Sequence, residues 1–236
     1  IRSPHRFTDF SQGEAIAPND ILLFSEAQYA RTEAPGSWPS GPPASSFDLS
    51  AKIEWSPVWS LREHRFKFVP TTLLYFFYRG PGAYHMHADS NGCAAGNTLE
   101  EAIVQGFLEL VERDAYAVWW YNRVQRPELE LDRFNDPYIR DFKRELAATG
   151  RRVWVLDITN DLAVPSFLAI AHWMDGGQEF VDFGSGSHFD DRIALLRALT
   201  ELNQFLSIGL LGGRSTHPTD ASGEDSNCHS SRVEQA

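Results

Sequence analysis

The stretch SNGCAAGNTLEEAIVQGFLELVERDA, Ser90 to Ala115, constrains this chain more than any other. From Thr98 its apolar residues recur with a helical period to about Trp120, and Thr98 with Glu101 three positions later has the form of a capping box. Each helical residue advances about 100°, so with Glu101 at 0° Gln105 falls at about 40°, Glu109 at about 80°, Glu112 at about 20° and Arg113 at about 120°. Those five side chains form one polar stripe, and Ile103, Phe107, Leu110 and Val111 lie on the opposite side. Such a stripe is ordinarily a solvated face. Here no lysine occurs between Ser90 and Tyr121, so the usual surface pairing of Glu with Lys is missing. Aligned carboxylates repel one another unless a cation sits among them.

A second helix is predicted over DPYIRDFKRELAATG, with Asp136 as cap, Pro137 in the first turn and Gly150 as stop. The last helix, DDRIALLRALTELNQFL, repeats the striped design, with Arg197, Glu201 and Gln204 at i, i+4 and i+7 and Asp190 placed to start it. Strand composition marks EWSPVWSL, HRFKFVPTTLLYFFY, RVWVLDI, VPSFLAIAHWM and QEFVDFG. Gly184 to Ser187 and Asp182 read as turn residues, and DILLFSEAQYAR, Asp20 to Arg31, as a short helical or packed element. These elements predict an α+β fold with a mixed or antiparallel sheet packed against helices. Residues 1–50 are loop-rich, with a Pro/Gly/Ser stretch from Ala34 to Ser46; residues 51–208 form the patterned domain; residues 209–236 read as a disordered tail.

Composition narrows the partners. A formal charge of -11 lacks the basic patch that nucleic-acid binding needs. The longest apolar runs are too short to span a bilayer, which takes about 20 residues. Cys93 and Cys228 match neither a disulfide framework nor a metal-binding spacing, and no signal peptide opens the chain, so a cytoplasmic location is expected.

Carboxylates, amides and arginines on one stripe suit a metal-nucleotide site. Mg²⁺ takes one or two carboxylates plus substrate phosphates, and an Arg fork matches phosphate oxygens. No Walker-type loop supplies such a site: GSGSHFDD lacks the Lys-Ser/Thr ending, and CAAGNT is not GxGxxG. His85 and His87 stand at i, i+2 and would share a strand face, but without a third ligand they read as a loop pair. Cys93 has no His/Asn context of a nucleophile and reads as a small residue packed under a turn. Trp119, Trp120 and Tyr121 read as core aromatics, and Asp114 as facing solvent.

SNGCAAGNTLEEAIVQGFLELVERDA followed by RIALLRALTELNQ, with FGSGSH just before the second motif, resembles the YcaO superfamily, specifically its azoline-forming peptide cyclodehydratases. The resemblance runs from about Trp55 to Phe205. It implies a YcaO-like fold that holds ATP without a P-loop, through magnesium ions and carboxylates. Asn97, Glu101, Gln105, Arg113, Arg197 and Gln204 would then contact the nucleotide, and Glu109, Glu112 and Glu201 would ligate Mg²⁺. Some members carry a serine where this chain has Ala94, which leaves one hydroxyl contact fewer. The implied reaction closes a Cys, Ser or Thr side chain of a ribosomal precursor peptide onto the preceding carbonyl, using ATP, to give a thiazoline or oxazoline. The implied partners are the precursor peptide and a leader-binding, ubiquitin-activating-like protein; the chain itself is a candidate homodimer.

Nothing in Ile1 to Lys52 matches the family's upstream carboxylate segment, and the tail replaces its proline-rich carboxyl terminus. The chain is therefore expected to be a fragment of such an enzyme, with reduced or no activity of its own. Two other readings stay open: a noncatalytic YcaO-like scaffold that binds a peptide or partner, and a small α+β hydrolase with a carboxylate-bound metal.

Overall fold

The computed structural model describes residues 2–30, 45–83 and 86–211. The chain divides into two compact units, Ile1–Ser90 and Asn91–Ala236. Most of the Pro/Gly/Ser stretch, His85 and the polar tail from Gly212 onward lie outside the described residues.

The first unit is built on a three-stranded antiparallel sheet, β1 (Arg2–His5), β2 (Ile53–Ser60) and β3 (Arg65–Pro70), in that spatial order. Its core gathers Ile53, Trp55 and Met86 with Ala15 and Phe47. The Asp20 to Arg31 segment supplies most of two short helices, α1 (Pro18–Leu22) and α2 (Glu26–Ala30). The expected second strand is shorter than its composition suggested. It ends at Pro70 in a 3₁₀ turn, Thr71–Leu73, because Pro70 has no N–H to continue a ladder. Leu74 to Phe77 are then exposed.

The second unit has α3 (Leu99–Asn122), α4 (Pro137–Ala148), the antiparallel strands β4 (Arg152–Asp157), β5 (Ser166–Asp175) and β6 (Gln178–Ser187), and α5 (Asp191–Leu211). The strand order β4-β5-β6 leaves β6 as an edge. Alternation of side chains assigns the two faces. Val155, Phe167, Ala169 and Ala171 pack with Ile139, Phe142 and Leu146 of α4 and with Leu195, Leu199 and Leu202 of α5. Leu156, Leu168 and Ile170 face the other way, onto Ala115 and Trp119 of α3. The sheet is thus a middle layer with α4 and α5 on one side and α3 on the other. The architecture is the expected α+β arrangement with antiparallel sheets and helices.

The helix starts match their capping signals. Thr98 Oγ1 accepts the N–H of Glu101 at 3.2 Å, Asp136 accepts from the N–H of Tyr138 at 2.8 Å, and Asp190 accepts from the N–H of Ile193 at 3.1 Å. Gly150, at φ +73°, follows the last turn of α4.

Three expectations change. Gly184 to Ser187 is not a turn but the last four residues of β6, and Asp182 is mid-strand, opposite Ala171. The reason is packing: a Cβ on Gly184 would stand 2.2 Å from the backbone N of Leu202, and one on Gly186 would stand 2.4 Å from the carbonyl oxygen of Ala194. The glycines let strand and helix backbones touch. Cys93 is exposed rather than packed under a turn. Of the aromatic run, Trp119 is buried and Trp120 partly so, but Tyr121 is exposed.

Candidate functional site

The site forms at the open edge of β6, where helices from both faces of the sheet meet. On an edge strand the N–H and C=O groups of alternate residues point away from the sheet and need partners. His188 pairs inward, its N–H donating to the carbonyl of Pro165 at 3.1 Å, so Ser185 and Ser187 point outward. Helix α5 meets that demand. Glu201 Oε2 accepts the N–H of Ser185 at 2.5 Å, and Arg197 Nη1 donates to the carbonyl of Ser187 at 3.2 Å. Gly184 and Gly186 turn toward α5, so by strand alternation Ser185 turns its side chain toward α3.

There the hydroxyl of Ser185 donates to Glu112 Oε1 at 2.7 Å and also lies 3.1 Å from Glu201 Oε2. Arg113 stands among the carboxylates. Its Nη1 donates to Ser185 Oγ at 3.4 Å, and its guanidinium lies 3.5 Å from Glu112, 3.6 Å from Glu201 and 3.9 Å from Glu109. Three carboxylates therefore face one guanidinium, an excess of negative charge in a partly covered place. Burial pushes the carboxyl of Glu112 above its ordinary value; the Ser185 hydrogen bond and Arg113 oppose the rise, and Glu201 and Glu109 add to it. Burial likewise raises the phenol of Tyr116, one turn further along α3.

The other candidate residues continue from this cluster toward the start of α3. Arg197 Nη2 donates to Gln105 Oε1 at 2.5 Å, a second tie between α5 and α3. Glu101 accepts from the backbone N–H of Asn97 at 2.7 Å and from its side-chain amide at 3.1 Å, and so works as a cap as well as a member of the stripe. The loop before the helix is drawn onto α3 at Gly106, where an added Cβ would come within 2.7 Å of the carbonyl of Gly92. Gln204 stays apart: it is exposed and hydrogen-bonds to none of these groups. Asp114, read as solvent-facing, accepts from Asn160 at 2.6 Å and ties α3 to the loop before β5.

Ser185 is absent from the sequence-based candidates, although it touches three of the cluster's side chains, Glu112, Glu201 and Arg113. Its one signal is the alternation of glycine and serine in FGSGSH just ahead of a helix bearing Arg197 and Glu201.

The family "YcaO cyclodehydratase, ATP- and Mg²⁺-binding" matches residues 2–235, and the chain belongs to it. Among solved structures, a heterocyclase in complex with substrate and cofactor is 43% identical, with a TM-score of 0.79 over 88% of this chain and 28% of the other. The YcaO protein of Methanopyrus kandleri, bound with AMPPCP and Mg²⁺, is 26% identical, with a TM-score of 0.54 over 76% of this chain and 45% of the other. An uncharacterized protein encoded 3′ of tfuA in Rhizobium leguminosarum bv. trifolii is 31% identical over 174 residues, 70% of this chain and 41% of its own length. The chain thus spans less than half the length of each of these three relatives.

The donor set fits the family's ligands. Carboxylate oxygens are hard ligands suited to Mg²⁺, and their surplus charge is what a divalent cation offsets. No three metal-ligating side chains form a cage among the described residues. Mg²⁺ does not require one, since it keeps waters and phosphate oxygens among its ligands. The side chain of Arg113 is 39% exposed, which leaves part of its fork open to a phosphate. Among the described residues no helix is long and apolar enough to cross a membrane.

Proposed function

We propose that this chain carries part of the Mg²⁺-ATP site of a peptide cyclodehydratase, with Glu109, Glu112 and Glu201 toward the metal and Arg113 toward the phosphates. Asn97, Glu101, Gln105 and Arg197 line the approach to it, and Gln204, which stands apart on the next turn of α5, is the outlying member of the proposed nucleotide contacts. The observation that carries the reading is the convergence of Glu112, Glu201 and Arg113 on Ser185 at the edge of β6. A structural salt-bridge network balances its charges; this one leaves carboxylates in excess. ATP, when bound, supplies the phosphoryl group that makes an amide oxygen a leaving group. This chain's residues hold and orient: the carboxylates fix the cation, and Arg113 offers its donors to phosphate oxygens.

The substrate proposed is a ribosomal precursor peptide. The thiol or hydroxyl of its Cys, Ser or Thr closes on the preceding carbonyl carbon, the amide oxygen leaves in phosphate, and a thiazoline or oxazoline remains. The reading is supported by family membership and by the 43% identity to a heterocyclase whose structure holds substrate and cofactor. A leader-binding, ubiquitin-activating-like partner and self-association into a homodimer belong to the same proposal, as does a cytoplasmic location. A noncatalytic peptide-binding role is the second reading.

Calorimetry with Mg²⁺-ATP separates the two. Binding that is abolished by Glu109→Ala and Glu112→Ala is expected. Peptide binding with no nucleotide uptake, in the presence or absence of the partner, supports the scaffold instead.

A further inference from the structure

The cluster draws its carboxylates from helices on opposite faces of the sheet, and those helices are tied directly by Arg197–Gln105 and Arg113–Glu201. The residue between them touches both Glu112 and Glu201. Ser185 is buried, and every hydrogen-bonding capacity it has toward the site is engaged. Its N–H holds Glu201 Oε2 at 2.5 Å, its hydroxyl hydrogen is placed between Glu112 at 2.7 Å and Glu201 at 3.1 Å, and its oxygen accepts from Arg113 at 3.4 Å. One hydroxyl hydrogen cannot satisfy two carboxylates at once, and the shorter contact gives it to Glu112, leaving Glu201 to the backbone N–H. Each carboxylate thereby has one oxygen tethered to Ser185.

We propose that Ser185 is a positioning residue: its N–H and hydroxyl tether one oxygen each of Glu201 and Glu112, so that two carboxylates from separate helices present their remaining acceptor sites to one divalent cation. The proposal rests on the reading of this cluster as a Mg²⁺-nucleotide site. Its local frame suits the role. Gly184 and Gly186 hold the strand against α5 on either side of the serine, so the side chain is displayed from backbone fixed before and after it. Ser187, the next residue with the same orientation, is spent differently, its hydroxyl paired with that of Ser166 at 2.6 Å deep in the sheet. Of the two serines in FGSGSH, only Ser185 reaches the carboxylates.

The test measures Mn²⁺ affinity by electron paramagnetic resonance and AMPPCP affinity by calorimetry, with and without metal, on the full chain. Ser185→Ala keeps the N–H and loses the hydroxyl; Ser185→Thr keeps both. Groups that orient metal ligands from behind are worth roughly 10–100-fold in metal affinity. Ser185→Ala is expected to weaken Mn²⁺ binding by that factor while metal-free AMPPCP binding stays as in the unmodified chain, and Ser185→Thr is expected to restore most of the loss. Equal Mn²⁺ affinity in Ser185→Ala and the unmodified chain overturns the positioning role, as does a Thr variant no better than Ala despite an unchanged melting temperature. Glu112→Gln serves as the control for the underlying reading. If it binds Mn²⁺ as the unmodified chain does, the cluster is not the metal site and the proposal falls with it.

Discussion

Helices α3 and α4 both carry an apolar side and a polar side, but α4 buries only apolar residues of its apolar side, whereas α3 buries Leu108, Val111, Ala115 and Trp119 together with Glu112. In α4, Ile139, Phe142 and Leu146 are buried against the sheet and Arg140, Asp141, Arg144 and Glu145 face solvent. In α3, Glu112 is buried and Glu109 and Arg113 are partly covered, while Phe107 is 47% and Leu110 53% exposed. The usual cost of burying charge is what orders α4. Helix α3 accepts that cost along one stripe, and a folded chain tolerates inward carboxylates when they have a further partner to hold. The contrast separates a helix that only builds the core from one proposed to serve a ligand as well.

The sharpest way to break the contrast is at α4's buried side. Ile139→Ala removes a fully buried side chain and is expected to cost about 2–5 kcal/mol, read from denaturant melts. Asp136→Asn keeps a competent cap on the same helix but loses the charge that pairs with Arg192 Nε at 2.9 Å. The Arg192 hydrogen bond holds the Asp136 carboxyl below its ordinary value. Its stabilising contribution is therefore present above the ordinary carboxylate value and disappears as pH falls through the lowered one. The Asn variant should melt lower than the unmodified chain at neutral pH, and the gap should close in acid.

For α3 the expected sign reverses. Burial raises the Glu112 carboxyl, so the folded state keeps a proton that the unfolded state releases, and stability falls as pH rises from the ordinary carboxylate value through the raised one. Glu112→Gln is expected to melt higher than the unmodified chain at neutral pH without metal, with the difference vanishing in acid. Added Mg²⁺-AMPPCP should reverse the order, because only the carboxylate gains from it. A Gln variant that melts lower in the absence of metal would place Glu112 among ordinary structural ion pairs. The smallest effect is expected at Phe107→Ser: with the ring half exposed against Phe189, stability should stay within about 1 kcal/mol.

Periodicity made much of this legible. Three long helices and their caps follow from spacing and capping residues, five of the strands, β2 to β6, from composition, and the i+4 ladder from Asn97 to Arg113 picks out the stripe. What periodicity could not say is which way a stripe faces. An alternation of polar and apolar residues marks the two sides of a helix but not which residues meet the sheet: Ile103, Phe107 and Leu110 are exposed, while Val111 on their side and Glu112 on the other are buried. FGSGSH misled for a related reason. Glycines next to serines are local turn signals, and here they answer a tertiary demand, the close approach of α5, that no local window contains. Ser185 was hidden with them, since a serine declares its role only through its neighbours in space.

The touching backbones at Gly184 and Gly186 also decide where the site can give. With Ser185 fixed to the strand and Glu201 fixed to a helix lying on it, those two groups have no joint between them and must travel as one body. On the opposite wall Glu112 and Gln105 are tied closely to Ser185 and Arg197, but Arg113 meets its carboxylates only at 3.5 to 3.9 Å. Adjustment to an incoming ligand should therefore come from side chains of α3. In a hydrogen-exchange experiment the amides of β6 and the middle of α5 would open together and last, with the arginine on the facing helix re-orienting well before either.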